Sequence, residues 1–174
     1  MGDNGVYQEA FSIWLIPEPG ISAMAREQIG ILAGKLGSPI FEPHVTLVGG
    51  ITGAREPLIA ATQDIAKSIG NIEAEFDGIS GLDEYFKSIF VRIKKTRMMQ
   101  LANEVAKRRL GWETSKDYMP HMSLAYSDAD ASKKQELMAA IPAFSGVCKF
   151  VRLDLYSTTG NVGEWKRIAE FSLG

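Results

Sequence analysis

The chain has 174 residues and a formal net charge of −2, with 19 Lys and Arg against 21 Asp and Glu, so it lacks the basic excess that grips long nucleic acid through its phosphates. Its 45% hydrophobic residues suffice for a sizeable core in a single domain, residues 1–174. No apolar stretch reaches the roughly 20 residues needed to span a bilayer, and the polar opening is not signal-like, which points to a soluble cytoplasmic protein and excludes a membrane partner.

Phe11-Ser12-Ile13-Trp14-Leu15-Ile16 is an apolar run closed by Pro17 and Pro19 and reads as a strand. Met24, Ile29, Ile31, Leu32 and Leu36 recur at helical spacing over 22–36, and Gly37 ends them. Pro43-His44-Val45-Thr46-Leu47 reads as the next strand, broken by Gly49-Gly50 and followed by a helix over about 57–69 with Gly70 as its stop. Residues 72–79 and 86–94 read as two strands joined by the turn-rich Ser80-Gly81-Leu82-Asp83. Thr96 can cap a helix that runs to about Leu110 and stops at Gly111. Pro120-His121-Met122-Ser123-Leu124 forms a further strand, then a helix over about 130–140 ends at Pro142. Strands at 149–156 and 165–171 flank the turn Thr159-Gly160-Asn161-Val162-Gly163. Each half therefore runs strand or strands, helix, histidine strand, helix. This order predicts an α/β (α+β) fold of two pseudo-duplicated lobes, with one histidine brought by each to a central cleft.

Histidine occurs only twice, and both copies sit in the same phrase of proline, histidine, apolar residue, hydroxyl and leucine. The side chain whose pKa lies nearest neutrality is unlikely core filler when used so sparingly and so symmetrically. In an extended strand His44 and Thr46 share one face, Val45 and Leu47 the other, and His121 and Ser123 are set against Met122 and Leu124 in the same way. Two imidazoles of reference pKa about 6.5 can serve as base and acid across a cleft. They suit in-line displacement at phosphorus, with Thr46 and Ser123 donating to non-bridging oxygens. No metal or cofactor is expected, because neither histidine has a helical i,i+4 partner and hydroxyls stand where carboxylates or thiols would ligate. Cys148 is the only cysteine and lies in an apolar run, as a buried thiol rather than a nucleophile. Lys94, Lys95, Arg97 and Lys107-Arg108-Arg109 read as solvated faces.

The motifs His44-Val45-Thr46-Leu47 and His121-Met122-Ser123-Leu124 resemble the signature of the two-histidine phosphoesterase superfamily, and within it the plant and yeast cyclic phosphodiesterase branch. Ser12-Ile13-Trp14-Leu15-Ile16-Pro17, Phe41-Glu42-Pro43-His44, Tyr85-Phe86-Lys87-Ser88 and the segment from Tyr118 to Tyr126 carry the same likeness, which covers essentially the whole chain. The resemblance implies antiparallel sheets flanked by helices around the cleft. It also implies hydrolysis of nucleoside 2′,3′-cyclic phosphates to 2′-phosphates and of ADP-ribose 1″,2″-cyclic phosphate, a by-product of tRNA splicing, to ADP-ribose 1″-phosphate. It makes His44 and His121 catalytic, with His121 activating water and His44 protonating the leaving oxygen, and it puts Thr46 and Ser123 on the phosphate. Trp14, Phe86 and Tyr126 then line the substrate site. Strand parity places Trp14 with Ser12 on a partly polar face, leaves Phe86 equally suited to a core, and brings Tyr126 to the cleft only if its strand ends or bulges near Ala125. The expected partner is a small cyclic phosphate and the expected state a monomer. A non-catalytic nucleotide- or RNA-binding module and an RNA-end-processing enzyme are the alternative readings.

Overall fold

A computed structural model describes residues 8–114 and 117–174. Elements follow in the order β1 (Ala10–Pro17), α1 (Pro19–Leu36), β2 (Val45–Thr52), α2 (Arg55–Ile69), β3 (Ile72–Ser80), β4 (Ile89–Ile93), α3 (Arg97–Leu110), β5 (His121–Ala125), α4 (Ala131–Ala139), β6 (Val147–Ser157) and β7 (Lys166–Ser172). Local signals account for the boundaries. Proline in the first turn starts α1, three residues before the sequence pattern suggested, and Gly37 ends it in the left-handed conformation at φ 63°. The Thr96 hydroxyl accepts from the Met99 N–H and the Asp130 carboxylate from the Lys133 N–H, so α3 and α4 both open on a side-chain cap.

The strands pair in the order β1-β2-β5-β4-β3-β6-β7, every pairing antiparallel, and β1 also pairs with β6. The antiparallel sheets expected of two lobes are thus joined into one hydrogen-bonded array that closes on itself through β1 and β6. Strand β6 makes this possible by its length: Phe150 to Ser157 run beside β1 on one edge, while on the other Val147 to Phe150 meet β3 and Arg152 to Ser157 meet β7. Helices α2 and α3 pack on each other, and α1 packs on β5 and β1. Phe11, Ile13, Leu15, Val45, Leu47, Ile65, Val91, Met99, Met122, Leu153 and Leu155 are buried in the apolar core between sheet and helices. Cys148 is fully buried, and burial, aided by the charge of Glu18, pushes its thiol up to about 12, away from reactivity at neutral pH.

One expected strand is shorter than its pattern. Residues 86–94 divide into a single 3-10 turn, Tyr85–Lys87, and the strand Ile89–Ile93. The Leu82 N–H donates to the Lys87 carbonyl and the Lys87 N–H to that of Glu84, which curls the chain before β4 begins. Gly81 permits the curl, since a Cβ there would run into the Ser88 carbonyl oxygen.

Candidate active site

The neighbouring strands β2 and β5 pair at Val45 and Met122, the apolar residues that directly follow the two histidines. In an antiparallel pair that register sets His44 across from Ser123 and Thr46 across from His121, all four on the same face. Directly opposed residues keep their Cβ atoms about 4.5–5.5 Å apart, so each histidine has the other motif's hydroxyl as its cross-strand neighbour. All four side chains line one cleft of about 700 Å³.

Both rings are held alike. His44 Nδ1 lies 2.7 Å from the Glu42 carbonyl and His121 Nδ1 lies 2.9 Å from that of Met119, in each case the residue two before the histidine. A carbonyl only accepts, so Nδ1 carries the proton and Nε2 is left with its lone pair for the cleft. The prolines at positions 43 and 120 sit inside these bends, where their missing N–H is no loss. Burial lowers the His44 pKa to about 3, against the Glu42 carbonyl, which raises it, and with the His121 charge adding to the fall. His121 is lowered too, chiefly by burial, with Lys87 acting in the same sense and the Met119 carbonyl and Glu84 in the other. Both imidazoles are neutral around pH 7.

Trp14, which pairs with Thr46 across β1 and β2, is 2% exposed and lies flat on His44. It belongs to core and cleft together. Phe86 is 53% exposed at the cleft, carried by the 3-10 turn and not by a strand, and its carbonyl accepts the Ser123 hydroxyl at 3.1 Å. Tyr126 reaches the cleft because β5 ends at Ala125, after the β4–β5 register has skipped Leu124. There it stacks on Phe41, with ring centroids 3.9 Å apart, and meets Phe86 edge-on. Burial drives its hydroxyl pKa up, so it stays a neutral donor.

Residues 9–173 match the family described as cyclic phosphodiesterase-like protein. The chain belongs to that family. It is a two-histidine phosphoesterase and a phosphodiesterase. A cyclic phosphodiesterase of Arabidopsis thaliana is 22% identical over 130 residues, which cover 75% of this chain and 72% of that protein. Among solved structures, a phosphoesterase superposes with a TM-score of 0.67 at 14% identity, and E. coli LigT in complex with 3′-AMP with 0.66 at 14%, each covering 95% of this chain and 98% of the other. Thermus thermophilus TT0787 gives 0.63 at 19% identity, over 94% and 97% of the two chains. These likenesses establish a shared fold.

The phosphodiesterase cleft also holds residues that the motifs do not announce. Trp165 stands between β6 and β7, its ring centroid 5.9 Å from Trp14, 6.0 Å from Tyr126 and 6.1 Å from Phe86, and its buried Nε1 has no hydrogen-bond partner. Tyr156, which does not itself line the cleft, stacks on Trp14 from behind at 3.8 Å. Asn103 of α3 donates to the Leu47 carbonyl at 2.7 Å and so ties the helix to β2. Lys107 departs from the expectation of a solvated basic run: it lines the cleft, while Arg108 and Arg109 are exposed. Among the described residues no three of His, Cys, Asp and Glu gather as a metal-binding group, and no helix is long and apolar enough to cross a membrane.

Proposed function

We propose that this phosphodiesterase hydrolyses nucleoside 2′,3′-cyclic phosphates to 2′-phosphates, and ADP-ribose 1″,2″-cyclic phosphate to ADP-ribose 1″-phosphate, with its two histidines as the acid–base pair and no metal. Water gives a proton to Nε2 of His121 as its oxygen bonds to phosphorus. The P–O3′ bond breaks, and Nε2 of His44 hands its proton to the departing O3′. Thr46 and Ser123 donate to the non-bridging oxygens, Ser123 by turning its hydroxyl from the Phe86 carbonyl. The phosphodiester's own negative charge raises the proton affinity of the imidazole beside it, which is how a buried His44 comes to hold a proton when substrate is present. Trp14, Phe86 and Tyr126 pack the sugar and base.

The observation that carries this reading is the matched anchoring of both Nδ1 atoms to carbonyls two residues back, which leaves two Nε2 atoms for one cleft. Support for a small nucleotide substrate comes from relatives: one is named a cyclic phosphodiesterase, and E. coli LigT has been crystallised with 3′-AMP, NADP+ and ATP. A monomer in the cytoplasm acting on a small soluble ester goes with this reading. Phosphorus NMR of the purified protein with adenosine 2′,3′-cyclic phosphate and with ADP-ribose 1″,2″-cyclic phosphate, in EDTA, is the test. The 2′- and 1″-phosphates are the expected products; the 3′-phosphate from the first substrate, or no reaction with either, defeats the proposal.

A further inference from the structure

The cleft continues past the four motif side chains. Strand β2 bulges against β1 between Val48 and Ile51, and Gly50, at φ 70°, turns the chain along the cleft wall beyond Thr46. The Trp112 ring closes the cleft there, its Cζ2 3.9 Å from where a Cβ on Gly50 would stand. The end of α3 fixes that ring. Gly111 adopts φ 58°, its N–H reaches the Lys107 and Arg108 carbonyls, and the Trp112 N–H bonds to the Lys107 carbonyl at 2.9 Å. One helical turn after Asn103, which is tied to β2, α3 carries Lys107 on the same wall. Among the described residues no carboxylate stands within ion-pair distance of Lys107. Asp117, the acid on this wall, is directed at Lys95, 3.7 Å away. The Tyr118 hydroxyl is buried in the same wall without a hydrogen-bond partner, and burial drives its pKa up, so it remains a neutral donor.

An ammonium without a carboxylate, an indole ring and an orphaned hydroxyl suit a phosphate with its attached sugar or base. We propose that Lys107, Trp112 and Tyr118 form a second subsite that binds another phosphate of the same substrate, making the preferred substrates nucleotides with a phosphate besides the cyclic ester. The inference rests on the reaction proposed above for placing the cyclic ester at the histidines. Lys107 contributes a point charge, Trp112 a flat apolar wall and Tyr118 one hydrogen bond.

Calorimetric titration with adenosine 2′-monophosphate and adenosine 2′,5′-bisphosphate at low salt tests it without turnover. The bisphosphate should bind about tenfold tighter, the scale of one charge-assisted contact. Lys107→Gln should bring the two ligands within about twofold, and Lys107→Arg should restore the gap, since it keeps the charge. Equal affinity in the wild-type protein, or a preference that survives Lys107→Gln, overturns the subsite. Hydrolysis of adenosine 2′,3′-cyclic phosphate is followed separately. Turnover without bisphosphate preference removes the subsite alone, whereas a Lys107-dependent preference in a protein that leaves the cyclic ester intact removes the reaction and keeps the subsite.

Discussion

Trp14 lies on His44 with ring centroids 3.5 Å apart and planes 6° from parallel, and Tyr156 covers the indole's other face at 3.8 Å. The indole shuts water from one side of the imidazole, leaving His44 6% exposed. Its pKa, lowered by burial to about 3, has a consequence for stability. Above pH 6.5 the ring is neutral in both folded and unfolded chains and contributes no pH dependence. Below it the unfolded chain takes a proton that the folded one refuses, so stability falls by about 1.4 kcal/mol per pH unit until the folded value is reached. Urea unfolding at pH 7, 6 and 5 should show this loss, and His44→Gln should make it shallower, with His121, also lowered by burial, keeping its own share. An unchanged slope in the variant would mean that His44 is not desolvated in the folded protein.

Both histidines are lowered from 6.5, so the catalytic pH profile should move with them. The kcat/KM of an acid–base pair is bell-shaped between the two free-enzyme values, whichever histidine is acid. Its maximum for adenosine 2′,3′-cyclic phosphate is therefore expected on the acid side of pH 6.5, with activity falling as pH rises through neutrality and the acid loses its proton. Initial rates at low substrate from pH 4.5 to 8.5 measure it. An optimum above pH 7 would contradict the desolvated pair.

His44→Ala and His121→Ala should each lower kcat by at least about 100-fold, the scale of one general acid or base. Thr46→Ala and Ser123→Ala should cost up to about tenfold, one neutral hydrogen bond apiece. Steady-state kinetics on variants with wild-type circular dichroism would decide it. Near-normal turnover in either histidine variant removes that residue from the chemistry.

Turnover should survive excess EDTA unchanged, because the cleft pairs each histidine with a hydroxyl and, among the described residues, offers no three-ligand group. Activity lost to EDTA and restored by zinc or magnesium would replace the acid–base scheme with a metal-bound nucleophile.

What could be read from the chain is what depends on near neighbours. His44 with Thr46 and His121 with Ser123 follow from strand parity, the helix ends follow from Thr96, Asp130, Gly37 and Gly111, and Tyr126 follows from the end of a strand at Ala125. The residues that escaped owe their place to distant pairings. Tyr156 meets Trp14 only because β6 lies beside β1, with Trp14 opposite Asp154. Trp165 and Trp112 enter on loops whose course no periodicity encodes. Lys107 looked like its neighbours Arg108 and Arg109, since a charge run does not reveal which member a helix turns inward; the Asn103 bond to Leu47 settles that rotation. Phe86 lost its strand because a glycine-dependent curl before β4 outweighed the apolar pattern of residues 86–94.

The roles of the two histidines are the remaining asymmetry. Their backbone anchors are alike, but their surroundings differ: His44 carries the flat indole of Trp14, while His121 meets Phe90 edge-on, with ring centroids 5.1 Å apart. An aromatic face stabilises a cation by about 0.5–2 kcal/mol, which offsets part of the desolvation that keeps His44 neutral, and in the proposed reaction His44 is the acid once substrate charge has brought its proton. A leaving group of low pKa needs no protonation. An aryl phosphodiester that the cleft accepts should therefore be turned over by His44→Ala at a rate within about tenfold of wild type, and remain at least about 100-fold slower with His121→Ala. Rescue of His121→Ala instead would exchange the two roles, and rescue of neither would mean that proton donation to the leaving oxygen is not what the His44 variant lacks.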